Sequence, residues 1–130
     1  MQDRPTVDEL LEAVAGFLRD DVMTNTTGRI NFHARVSSNV LEMMRRELNH
    51  REEHLGREWA GLDGLLGLES APASFDALQA RLLERNRDLA GRIKDGFADD
   101  ADVRGRLLAH LRTTVHDKLV VSNPALAADA

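Results

Sequence analysis

Apolar residues along this chain recur at three- and four-residue steps, with no sustained alternation of the kind a strand requires. The broadest pattern lies in Gly28–Leu48. Taken at ~100° per residue, Ile30, Phe32, Ala34, Val36, Val40, Leu41, Met43, Met44 and Leu48 spread over roughly half of a helix circumference. An arc that wide predicts a central helix, over about Arg29–His50, with neighbours on two sides. His33 and Ser37 fall in the middle of the arc, four positions apart and stacked on one face.

The other elements are read around this one. Thr6-Val7-Asp8-Glu9 has the form of a capping box, in which the hydroxyl takes an orphan N–H and the glutamate reaches back. Val7, Leu10, Leu11, Val14, Phe17, Leu18 and Val22 then predict a first helix to about Val22, and Thr24–Gly28 is a polar breaker. Asn49–His54 is wholly polar, which predicts a bend or a fresh start. Leu55, Trp59, Leu62 and Leu66 resume helical spacing. Gly56, Gly61, Gly64 and Gly67 interrupt that third segment, each at a cost of about 1 kcal/mol against Ala.

Ser74 is an N-cap for a fourth helix carrying Phe75, Leu78, Leu82, Leu89 and Ile93, with Asn86 on the same face. Gly96 terminates it. Asp99-Asp100-Ala101-Asp102 leads into a fifth, whose apolar arc is Val103, Leu107, Leu108, Leu111, Val115 and Leu119, and Ser122-Asn123-Pro124 ends it. The expected fold is all-α, a compact bundle of about five helices. It forms a single domain over 1–124, followed by a frayed tail at 125–130.

Composition narrows the function. The 130 residues contain no cysteine, which removes thiolate metal sites, disulfides and a cysteine nucleophile. The net charge of −5 and the absence of tyrosine argue against a nucleic-acid surface. No apolar run approaches the ~20 residues of a membrane span, and the first residues lack an apolar signal core, so a cytoplasmic location is expected. There is no Gly-rich phosphate loop, dinucleotide fingerprint or EF-hand loop, and no cofactor is expected.

Three places invite chemistry. His50-Arg51-Glu52-Glu53-His54 fits the His-x-x-Glu-His pattern of inverted zinc peptidases, with His50 and His54 one turn apart and Glu53 as the candidate base. The bland account is a solvated, charged helix face, and a metal-dependent hydrolase ranks third among the readings. His33 and Ser37 form the second place. A histidine in an apolar arc is ordinarily a core residue bonded to a carbonyl. The alternative is a ligand-facing pair in a cleft, and two residues on one helix do not make a serine hydrolase.

The third place is Lys118, which projects into the apolar arc of the last helix. C-capping by Lys118 and a turn at Asn123 account for it without a ligand. The functional alternative is an anion pocket shared by Lys118, His33 and Arg35, with Ser37, Asn39 and Asn123 around it. Burying these polar groups apart is costly. The cheapest resolution packs the central helix on the C-terminal one, with Arg35 or Asn39 near Asp117 or Asn123.

Three blocks carry a resemblance: Arg4-Pro5-Thr6 with Glu9-Leu10-Leu11, Phe32-His33-Ala34-Arg35-Val36 with Asn39-Val40-Leu41, and Asp117-Lys118-Leu119 with Asn123-Pro124. With them the chain resembles a bacterial family of all-helical domains of unknown function. Members of that family are often encoded beside aminoglycoside-phosphotransferase-like kinases and acyl-CoA dehydrogenases. The resemblance implies a partnership with such an enzyme and no activity, so an interaction or accessory protein without catalysis is expected, and a homo-oligomer is open beside it. It carries over no catalytic residue. Binding of a small anionic molecule is the alternative function.

Overall fold

The computed structural model describes residues 3–129. Among them the chain is all-helical and confirms the expected bundle class. Helix α1 (Val7–Gly16) passes without a break into a π-helical stretch (Phe17–Val22) and a last turn (Met23–Asn25). Helix α2 (Gly28–Leu66) follows, then α3 (Phe75–Lys94), α4 (Ala101–Ser122) and the short α5 (Pro124–Ala128).

The caps lie where the residues announced them. The Thr6 hydroxyl accepts from the Glu9 N–H at 3.2 Å, and the Thr6 N–H donates to Glu9 Oε2 at 2.7 Å, closing the capping box. Ser74 accepts from the Ala77 N–H, and Asp100 accepts from the N–H groups of Asp102 and Val103. Those two N–H groups hold the Asp100 carboxyl below the usual carboxylate range. Gly96 adopts φ +93°, where a side chain would be strained. The Gly96 N–H then donates to Ile93 O and the Phe97 N–H to Arg92 O, a Schellman close that drops Phe97 onto the core.

No new helix starts at Asn49–His54. One helix of 39 residues, about 58 Å at 1.5 Å per residue, runs through it. The polar run survives as helix because its side chains find partners there. Arg57 pairs with Glu53, Arg51 lies over the Phe75 ring at 4.6 Å, and His50 and His54 stack with centroids 5.2 Å apart. The glycines do not end the helix until Gly67, at φ +107°. Gly61 has a packing reason: a Cβ there would overlap the imidazole of His110 on α4.

The long helix organises two unlike halves. Along its first half α1 returns antiparallel, with Arg45 holding Asp8 in two parallel hydrogen bonds of 3.0 Å and Ser38 donating to Ala15 O at 3.2 Å. Along its second half α3 and α4 pack on two flanks. The eight-residue connection after Leu66 doubles back, so α3 starts beside Arg51 and runs in the same sense as α2. Helix α4 is antiparallel, fixed by Arg106 to Gly64 O at 2.8 Å, Arg57 to Asp117, and Arg46 to Val121 O at 2.8 Å. The core lies here: Trp59, Leu62, Leu82, Leu89 and Leu107 are buried together, with Leu62 wholly inaccessible.

Candidate functional site

Two features stand apart from an ordinary bundle: a cleft in the C-terminal half and a bare apolar face on the N-terminal hairpin. The cleft comes from α3 and α4 diverging over α2. It has a volume of about 340 Å³, a floor of Leu55, Leu82 and Val121, and Glu47, Lys118, Asp117 and Thr114 on its walls. Asp117 is 5 % exposed, accepts from Arg57 Nη1 at 2.5 Å, and has His54 and His116 each 3.8 Å away. Across the cleft Asn86 donates to Glu58 at 2.7 Å and to Leu82 O at 3.0 Å. Thr114 Oγ1 is buried without a hydrogen-bond partner.

The sequence placed the wrong residue inward on α4. The buried face is Leu107, His110, Asp117 and Val121; of the expected arc Leu107 is buried and Val103 and Leu119 are half-buried, while Leu108, Leu111 and Val115 face out. Lys118 is exposed on the cleft rim rather than buried in that arc. The reason is the partner surface. Helix α2 offers Arg57, His54 and Gly61 to this side, so the polar stripe of α4 matches it better than the apolar one. The Nδ1 edge of His110 packs against Gly61, and burial pushes its imidazole below the usual range, with Glu58 opposing and Lys118 adding to the shift.

The candidate ligand set is not brought together. Helix α4 meets α2 as expected, but through Arg46, His54 and Arg57 rather than Arg35 or Asn39. His33 precedes Glu47, the first α2 residue of the cleft, by fourteen positions, about 20 Å along the helix. Lys118 is on that cleft. Asn123 accepts from the Leu126 N–H and starts α5. His33, Arg35, Ser37 and Asn39 are exposed on the first half of α2, with Arg29 Nε donating to His33 Nε2 at 3.3 Å and the Arg35 guanidinium 5.9 Å from the Phe32 ring centroid. His50 and His54 share a helix side, while Glu53 turns away to Arg57. No group of three or more His, Asp or Glu among the described residues is disposed to hold a metal.

Sequence reasoning missed Arg85. Its guanidinium is 3 % exposed, lies 4.4 Å over the Trp59 ring, donates to Gly67 O at 3.0 Å and pairs with Asp63 at 2.9 Å. The signal was its place three residues after Leu82 and four before Leu89, on the buried stripe of α3. Arg85 closes the end of α2 with its head and packs on the core with its stem.

The second feature has the opposite construction. Between α1 and α2 the buried residues are Ala15, Ala34 and Ser38, all small. Leu11, Leu18 and Leu41 are half-buried, and the other bulky side chains point away from that seam. Val7, Leu10, Val14 and Phe17 form an exposed stripe on α1, and Ile30, Phe32, Val36, Val40, Met43, Met44 and Leu48 are exposed on α2. Phe17 and Ile30 reach 56 % and 62 %. The polar pairs Arg19–Glu42 and Arg45–Glu12 mark one side of the hairpin. Counted around the two antiparallel helices, the α1 stripe and Ile30, Met44 and Leu48 share the other side. His33 and Ser37 lie among them.

A family model described as Domain of unknown function (DUF6285) matches residues 24–126. The chain belongs to that family. The DUF6285 match spans α2 to α5 and therefore includes both the bare half of α2 and the cleft. Neither the curated proteins nor the solved structures contain a match. Among the described residues no helix is long and apolar enough to cross a membrane.

Proposed function

We propose that this DUF6285 protein is a non-catalytic interaction protein that acts through the apolar face of its N-terminal hairpin. One observation carries the reading. The fully buried residues of the hairpin are alanine and serine, while eleven valine, leucine, isoleucine, methionine and phenylalanine side chains face water. An exposed apolar surface of this extent belongs at an interface. Aromatic residues and methionine are the types enriched there. The family resemblance supports a phosphotransferase-like kinase or an acyl-CoA dehydrogenase as partner, and the protein then serves as an accessory subunit in the cytoplasm.

The test is cross-linking mass spectrometry in the native cell, followed by the Val36→Glu and Met44→Glu variants. The reading expects protein cross-links from the hairpin, and loss of them in both variants with helicity retained. A hairpin that cross-links to no protein chain, itself included, contradicts it.

A second reading rests on the cleft. Lys118 on its rim and the unpartnered Thr114 hydroxyl offer donors to a small anionic molecule. Inorganic phosphate and a short carboxylate are the probes. Under this reading they raise the melting temperature of the natural chain and not that of Lys118→Met.

A further inference from the structure

The occupant of the bare face, we infer, is a second copy of this chain: two N-terminal hairpins meet face to face about a twofold axis and complete a four-helix bundle. This rests on the interaction reading above and names its partner.

Size argues for it. The α1 stripe with Ile30, Val40, Met44 and Leu48 leaves on the order of 800 Å² per chain, so a symmetric pair covers about 1,600 Å², the standard size of a specific interface. Shape argues for it as well. An antiparallel helix pair with a small-residue seam is half of a four-helix bundle, and an identical half closes the core without any new element. The same helix shows what closure looks like. The stripe Phe32, Val36, Val40, Met43 continues at helical steps through His50, His54, Arg57 and Gly61, which α4 covers. The flank Ile30, Met44, Leu48 continues through Leu55 and Leu62, which α3 covers. In the first half the flank of Ile30, Met44 and Leu48 lacks the helix that a second hairpin brings.

His33 and Ser37 then lie within the interface. Polar groups at such positions fix register.

Sedimentation equilibrium on the whole chain is the test. The expected result is a particle of twice the 14.5 kDa chain mass. Val40→Glu and Phe17→Glu each weaken the dimer on the order of 100-fold, since a carboxylate is stranded in an apolar contact. Leu111→Glu, on the outer face of α4, leaves it unchanged. Because an interface variant can also unfold, hydrogen exchange of the natural chain on dilution gives an independent readout: protection falls at 7–17 and 30–48 and is retained around Leu62 and Leu89. A natural chain that stays monomeric up to the highest soluble concentration overturns the inference. Hairpin cross-links to a kinase-like or dehydrogenase-like protein in that case leave the interaction reading standing. With no cross-links, both fall.

Discussion

Between Leu55 and Leu66 the long helix is covered on two flanks and its leucines are buried or half-buried; between Gly28 and Met44 the same two flanks are bare and its valines and methionines face water. Sequence alone makes the halves look alike, since both carry apolar residues at helical spacing. What separates them is the number of helices available: α3 and α4 serve one half and α1 alone serves the other. A wide apolar arc therefore states how much surface must be covered. It does not state whether the cover is part of the same chain.

Substitutions sharpen this contrast. Leu62 is wholly buried, so Leu62→Ala is expected to destabilise by about 2–5 kcal/mol whatever the protein concentration. Val40→Ala is expected to change the stability of the dissociated chain by no more than about 0.5 kcal/mol, and chemical denaturation at two concentrations checks both. Equal effects would erase the distinction between the halves. Next in size is Arg85→Ala, which strands Asp63 and the Gly67 carbonyl and removes the guanidinium from the Trp59 ring. A loss of about 3 kcal/mol is expected by urea titration.

Gly61→Ala should follow at about 1–3 kcal/mol, because the new methyl group meets the His110 ring. In the Gly61→Ala/His110→Ala double variant the two costs should not add, and the cycle gives the coupling. Additive costs would show that α4 does not approach α2 at this point.

The smallest expected effect is a pH dependence confined to the C-terminal half. Burial lowers the His110 pKa, so between the lowered value and the ordinary 6.5 the unfolded chain binds the extra proton. Stability is therefore full above the ordinary imidazole range and falls as pH drops through that window. Melting curves from pH 7.5 to 5 should show the loss, and His110→Ala should flatten it.

Much of the fold was legible. The caps at Thr6, Ser74 and Asp100 and the Gly96 close depend on local chemistry, which the sequence displays directly. The continuity of α2 through Asn49–His54 was not legible, because its polar side chains are held by Phe75 and Asp117, far away in sequence. The same cause hid the inward face of α4. Asp117 and His110 are buried only because Arg57 and Gly61 await them on another helix. Of the candidate residues, His33 and Ser37 interrupt the apolar arc but are exposed, and His33 is not the carbonyl-bonded core histidine expected. Their exposed position with Ile30 and Met44 depends on α1 covering a different side, a fact of packing rather than of pattern.

The central claim is that the bare half of α2 is covered in solution by protein. Hydroxyl-radical footprinting of Phe17, Phe32, Met43 and Met44 measures that cover directly, with Leu68 on its exposed loop as the reference. The account predicts that these four side chains are strongly protected at working concentration and become labelled when dilution or Val40→Glu separates the copies. Labelling of all four at every concentration, in proportion to the exposure of a single chain, would contradict it.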